Sequence, residues 1–387
     1  MTMPRFARLL LALAPLLAGC TSWERTQEFE GWTLYVQSGE RVEVQEFHDA
    51  VQPAFEAVER ELGPFERNVR IHAWNGGVEV RDGNRGVIHG ESSGTVEDIE
   101  DIGPARVTAF HARSDGGPFS VSGVFVGSAD TGTTVHELVH AYFAERGEDL
   151  PLWFEEGFAM ILGDGALYEG EWHYDGLACW PWRKLREQEF SDDEIAHLLE
   201  VTARDDHSSR DNVLVHFIGW AIVFDLYREL GVLDWELMLA HFNSAPDPVR
   251  EARRRLERTI DDETPLAWLE RLEDPRPATR FAAARGTWKL HSPEVLVLLT
   301  RAVRTEEDPE VRASMAVNVI ATAGKTRLGR RREYWMWRTL RPVLRDTELD
   351  IPEETSALRT LYRAYRYGSR RYDTQAALAR LDRFWEE

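Results

Sequence analysis

Residues 133–162 read TTVHELVHAYFAERGEDLPLWFEEGFAMIL, and this stretch decides the fold. Val135, Leu138, Val139, Tyr142 and Phe143 fall at helical spacing. The pattern predicts a helix over about 133–146. Leu150-Pro151 leads into a second apolar segment, read as a helix over about 152–162. The loop between them is short enough to return the chain antiparallel.

The first helix carries His136-Glu137-Leu138-Val139-His140. Positions i and i+4 share a helix face, so both imidazoles can reach one metal ion. Glu137 then lies beside the open position of that ion, where a general base is useful. The bland alternative is a pair of hydrogen-bonded helix histidines. The second helix offers two acids, Glu155 and Glu156, as a further ligand. Two His and one carboxylate around zinc form a ligand set that leaves room for water.

The segment Leu150-Pro151-Leu152-Trp153-Phe154-Glu155-Glu156-Gly157-Phe158-Ala159, taken with the HExxH run, resembles the gluzincin metallopeptidases, in particular the bacterial peptidase-MA-like group. The resemblance covers roughly residues 30–240. It implies a zincin-like catalytic domain that binds Zn2+ through His136, His140 and Glu156. Glu156 is the residue that aligns with the Glu-Gly-x-Ala segment. Glu137 would then be the general base and a peptide or protein the substrate. In related chains a Tyr stands four residues before a Gly/Ser-Trp-Ala stretch. Aligned on Trp220, that position is His216, a candidate donor to the oxyanion. A second departure is Met160, which stands where some relatives carry an acid bonded to the first His. Asp164 lies too far along to replace it. An extended substrate would add to an edge strand, for which Ser120–Val126 is the first candidate and Arg106–His111 the second.

Upstream, Trp32–Val36, Val69–Trp74, Arg106–His111 and Ser120–Val126 read as strands. Residues 45–62 have the spacing of an amphipathic helix, with Pro53 inside and Gly63-Pro64 after it. Residues 75–104 read as loops. Downstream, helices are expected at about 192–203 and 212–230. The former opens on the capping box Ser191-Asp192-Asp193-Glu194 and the latter stops at Gly231. Ser244-Ala245-Pro246-Asp247-Pro248 reads as a boundary. Beyond about 260, Asp274-Pro275 and Asp308-Pro309 begin two helical units. The second resembles the Asp-Pro…Val-Arg…Ala signature of HEAT-like repeats, and such units bury their apolar faces against neighbours. An irregular helical domain fits the same residues.

Residues 1–20 read MTMPRFARLLLALAPLLAGC. Two Arg, a short apolar run and Leu17-Ala18-Gly19-Cys20 resemble the signal and lipobox of bacterial lipoproteins. The resemblance implies lipidation of Cys20 and an envelope location, anchored in a membrane. With Thr21 rather than Asp after the Cys, the outer membrane is the expected one. An ordinary signal peptide is the alternative. The expected organisation is therefore α+β. A signal spans 1–19 and a tether 20–31. A zincin-like domain spans 32–245, mixed in 32–126 and helical in 127–245. A helical, HEAT-like region spans 260–387 and is a candidate protein-binding surface.

Composition bounds the rest. The chain has 387 residues and a net charge of −21, from 46 basic and 67 acidic side chains. A surface this acidic argues against nucleic acid as a partner, since phosphate binding needs basic residues. Two cysteines, Cys20 and Cys179, allow no disulfide framework. Cys179 has no His partner by spacing, so thiol catalysis is not expected. No glycine loop has the form that cradles phosphate: Asn75-Gly76-Gly77 and Ser114-Asp115-Gly116-Gly117 are turns. Of the 14 Trp, Trp172, Trp180 and Trp182 could line a cleft, though core is their ordinary place. Two functional classes remain: a lipid-anchored zinc metallopeptidase, or a non-catalytic zinc-binding lipoprotein that serves as an interaction scaffold.

Overall fold

The inner strands of the first half are buried along most of their length, Trp32, Thr33, Leu34 and Val36 on one and Val69, Ile71, His72 and Ala73 on the next. The computed structural model describes residues 23–37, 42–73, 109–112, 123–126, 131–148, 150–174, 185–201, 209–262, 270–287 and 293–325. The signal with Cys20, the loops of 75–104, the Ser114–Gly117 turn, Cys179, Trp180, Trp182 and the chain beyond 325 lie outside them. The fold is mixed α+β, mostly helical, with a small mixed sheet. It divides into two compact units: Met1–Leu150 with Ala203–Asn212, and Pro151–Thr202 with Val213–Glu387.

In the first unit a five-stranded sheet runs in the order β1-β2-β3-β5-β4. These are β1 (Trp23–Glu28), β2 (Trp32–Gln37), β3 (Val69–Ala73), β4 (Ala109–Ala112) and β5 (Gly123–Val126). β2, β3 and β5 are parallel, and β1 and β4 are antiparallel to their neighbours. Two expectations are corrected here. Residues 23–28 are not a tether but a strand paired with β2. Glu24–Glu28 are all exposed, so no apolar alternation announces the strand. Nor is the Ser120–Val126 segment an edge. Its β5 pairs with β3 on one side and β4 on the other, and among the described residues β4 forms that edge.

Helix α1 (Val44–Leu62) links β2 to β3 and continues through Pro53. It buries Phe47, Val51, Ala54, Phe55 and Val58, while Leu34, Val36, Ile71, Val124 and Val126 are buried on the strands. Helix α2 (Thr131–Arg146) packs beside α1 and against β4 and β5. Its C-terminal end is pinned to the turn after α1. The Tyr142 hydroxyl donates to the Leu62 carbonyl, Arg146 donates to the Pro64 carbonyl at 3.0 Å, and Glu145 accepts the Glu66 N–H at 3.1 Å. Burial and the nearby Glu145 and Glu66 carboxylates raise the Tyr142 pKa against the opposing pull of Arg146.

The second unit begins with α3 (Leu152–Gly163) and a two-stranded hairpin, β6 (Gly165–Tyr168) and β7 (Glu171–Tyr174). Next come α4 (Asp192–Glu200), α5 (Ser209–Leu230), α6 (Trp235–Asn243) and α7 (Pro248–Asp262). The Ser191/Glu194 capping box is present at the start of α4, and Gly231 caps α5 at a φ of 70°. The expected boundary at Ser244–Pro248 is the connection between α6 and α7, inside this unit. The two Asp-Pro pairs precede α8 (Pro277–Thr287) and α10 (Pro309–Lys325), with α9 (Pro293–Thr305) between them.

Candidate metal site

Helix α2 buries almost its whole circumference, including Val135, Glu137, Leu138, Val139, His140, Tyr142 and Phe143. A polar side chain in such a position must find a partner. Glu137 is 2% exposed and His140 8%, while His136 is half-buried. Helix α3 is apolar throughout save for its two acids. It buries Glu156 to 7% exposure and leaves Glu155 half-buried. Pro151 is the N-cap of α3, extended at φ −58° and ψ 134° and without a side-chain cap, and its carbonyl accepts the Phe154 and Glu155 N–H groups at 2.9 and 3.1 Å.

The Nε2 atoms of His136 and His140 lie 3.2 Å apart, with the rings inclined at 72°. Two imidazole nitrogens bound tetrahedrally to one ion at 2.0–2.1 Å would be about 3.3 Å apart. One ligand atom from each of His136, His140 and Glu156 lies within 4.8 Å of the others. A shared proton would account for the two imidazoles alone and would leave the carboxylate unexplained. Two neutral nitrogens and one carboxylate oxygen fit a divalent cation. Glu156 is the acid in this candidate metal-binding triad, and Glu155 is not part of it.

The structure also brings His216, on α5, to Glu156. Its Nε2 lies 2.9 Å from Glu156 Oε2, and His216 is 3% exposed. His216, the candidate oxyanion donor, thus lies beside the acid of the triad, a proximity that spacing along the chain does not announce. The approach is possible because α3 and α5 cross at two glycines. A Cβ on Gly219 would fall inside the van der Waals shell of the Trp153 carbonyl oxygen, and one on Gly157 inside that of the Gly219 carbonyl. His216 and Gly219 are three residues apart and so share a helix face. Glu156-Gly157 and His216-x-x-Gly219 were the available signals.

Met160 is half-buried on α3, and a thioether cannot replace a carboxylate as acceptor for an imidazole N–H. Asp164 caps α3, its N–H donating to the Met160 carbonyl at 2.9 Å. Trp172 is core, 4% exposed, with its indole N–H on the Leu162 carbonyl at 2.8 Å. No described helix is long and apolar enough to cross a membrane. No protein-family model matches this chain, and no curated protein or solved structure matches it either.

Proposed function

We propose that this chain is a zinc-dependent metallopeptidase, held to the bacterial cell envelope through a lipidated Cys20. The carrying observation is the convergence of His136, His140 and Glu156 on one point, with Glu137 buried next to the first ligand. A purely structural metal site closes its coordination with protein ligands and has no use for an additional buried acid beside it. Zinc, when bound, polarises a carbonyl and lowers the pKa of water towards about 7.

The chain's own residues do the rest. The Glu137 carboxylate takes a proton from the attacking water and passes it to the departing amine. Strand β4, one of the two sheet edges among the described residues, is the place where an extended peptide can add by backbone hydrogen bonds. Its place beside β5 and against α2 puts that edge next to the helix bearing Glu137. In this reading 32–245 is zincin-like, and the helices from 260 onward are HEAT-like and offer a protein-binding face. The lipobox supports outer-membrane anchoring, and the acidic surface disfavours nucleic acid.

The second reading, a zinc-binding scaffold without catalysis, is favoured by Met160 in place of the acid. Metal analysis decides the first step. A chain starting at Thr21, purified without chelator, should hold about one zinc, and His140→Ala should hold none. Absence of zinc even after supplementation would remove the metallopeptidase reading. Labelled palmitate entering the full chain but not Cys20→Ala tests the anchor.

A further inference from the structure

We propose that the bilayer lies against the end of the sheet at which helix α2 begins, so that His136 and Glu137 are presented to peptides held at the membrane surface. This rests on the lipidated Cys20 and the peptidase activity proposed above. Only Thr21 and Ser22 separate Cys20 from β1, which starts at Trp23. Three residue steps span about 10 Å when fully extended. More than one acyl chain on a Cys holds it stably in a membrane. The Trp23 end of β1 therefore stays close to the headgroups, with no tether to let the domain drift away.

The strand register carries that end across the sheet. Trp23 pairs with Gln37, the last residue of β2. One step in, Glu24, Val36, Ala73 and Val126 form a row through β1, β2, β3 and β5. Ala73 and Val126 are the last residues of their strands. The start of β1 and the ends of three parallel strands thus share one end of the sheet, and α2 begins at Thr131, five residues after Val126. From there α2 runs away from this end. Its last turns meet the Leu62–Glu66 turn through Tyr142, Glu145 and Arg146. That turn leads into Val69, the first residue of β3, whose N–H donates at 2.9 Å to the Gly31 carbonyl between β1 and β2. The C-terminal end of α2 therefore marks the far end of the sheet. His136 lies five residues into α2, about 7.5 Å of helix from the near end. The exposed side chains of β1, among them Glu24, Arg25, Thr26 and Gln27, are polar, which suits headgroups and not acyl chains.

The test uses the full chain with Cys179→Ser, reconstituted in phosphatidylethanolamine/phosphatidylglycerol vesicles that carry a headgroup nitroxide. A fluorophore is placed on Glu24→Cys, Thr131→Cys or Glu30→Cys, one at a time. Labels at Glu24 and Thr131 should lose most of their fluorescence. The label at Glu30, between β1 and β2 at the far end, should keep its own. A Gly/Ser insertion of about ten residues between Ser22 and Trp23, spanning roughly 17 Å, should restore the Thr131 signal. Quenching at Glu30, or none at Thr131, would overturn the orientation. A chain that does not float with the vesicles would remove the anchor itself, a distinct result. The substrate side is read with a quenched fluorescent peptide joined to lipid through Pro-rich stems of increasing length, each residue adding about 3.1 Å. The anchored chain should cut short stems fastest, and its advantage over the chain from Thr21 should be lost as the stem grows. Equal advantage at every stem length would overturn the presentation of His136 and Glu137 to the membrane surface. No cleavage of any peptide would remove the peptidase reading, while the quenching pattern still decides the orientation.

Discussion

Arg255 and Asp225 are completely buried, and Glu156 and His216 are nearly so, yet the two groups meet the cost of burial in opposite ways. Around Arg255 the chain supplies its own cations. Arg255 Nη1 donates to Asp225 at 2.7 Å and to Glu229 at 2.9 Å, its Nε lies 2.7 Å from Glu251, and Arg258 Nε donates to Asp225 at 2.5 Å. Burial works against the Glu229 carboxylate, but Arg255, Arg258 and His241 outweigh it and hold its pKa below the usual range. The bond from Arg254 does the same for Glu251. Around Glu156 the converging groups are the ring nitrogens of His136 and His140, and such a set of donors suits a cation from outside. A guanidinium cannot give up its proton, so the first network is closed. An imidazole can, so the second can take a metal.

The sharpest way to break this contrast is to remove the acid that has no part in binding metal. Glu137→Gln should keep zinc and lose hydrolysis of a quenched fluorescent peptide library by about 10²–10⁴-fold. His140→Ala should lose both. If Glu137→Gln cleaved as fast as wild type, the triad would be a metal site without the proposed chemistry.

The second test strips the closed network. Asp225→Ala leaves Arg255 buried beside fewer carboxylates. Urea unfolding should show a loss of about 3–5 kcal/mol, less whatever Glu229 and Glu251 take up. Replacing both partners, Asp225→Leu with Arg255→Met, should recover most of it, since the desolvation penalty disappears with the pair. If the single replacement cost nothing, the network would not be the fastening of α5 to α7 that its burial indicates.

The two halves of this contrast were not equally legible in the sequence. His136, Glu137 and His140 could be read because the chemistry is local: one helix, one face, four residues. Glu156 could be read because the next helix is close in sequence and its Glu-Gly pair is distinctive. The Ser191 capping box and the Gly231 cap are likewise local. What could not be read was non-local. Nothing near Ser120–Val126 says that a short antiparallel strand will cover its outer side. Nothing in Trp23–Glu28, whose side chains are mostly charged or polar, distinguishes an exposed strand from a tether. The meeting of His216 with Glu156 spans sixty residues and depends on two glycines whose only role is to lack a Cβ. The Arg255 network is non-local as well, since it joins Asp225 and Glu229 on α5 to Arg255 and Arg258 on α7.

His72 on β3 sharpens the comparison as a buried imidazole outside the His136, His140 and Glu156 triad. It is 2% exposed and stacks on Tyr35 at 5.0 Å. Burial, with Arg70 beside it, lowers its pKa to about 4. The unfolded imidazole protonates near 6.5, so between these values the unfolded chain binds more protons. Stability is therefore full above about pH 6.5 and falls as pH drops towards 4, by roughly 3 kcal/mol at most. The carboxylates of the Arg network, with lowered pKa values, lose their contribution only at lower pH. Urea midpoints of the zinc-free chain from pH 7 to 4.5 should fall less steeply in His72→Gln than in wild type. Parallel slopes would mean that His72 is hydrated in solution.

The smallest effect expected concerns the hairpin that follows the ligand helix. The Tyr168 hydroxyl donates to Asp308 Oδ2 at 2.7 Å, and its ring lies 5.5 Å from Phe281. Burial, then this bond and the charge of Asp308, push the Tyr168 pKa up. The other carboxylate oxygen of Asp308 accepts the backbone N–H groups of Glu310 and Val311 at 3.0 and 2.9 Å, capping α10. One side chain thus ties β6 to α10 and starts the helix. Tyr168→Phe should cost about 1 kcal/mol, the net worth of one hydrogen bond. Asp308→Asn, which keeps an acceptor for the cap, should cost a similar amount. Asp308→Ala should cost about twice that, because the cap is lost as well. If the Tyr168→Phe and Asp308→Ala losses simply added in the double variant, the two side chains would not be coupled. A double variant no less stable than Asp308→Ala would show that the hydroxyl acts only through Asp308. In that case the hairpin after the ligand helix is held by the same carboxylate that begins α10, and the C-terminal helices brace the Glu156 side of the site.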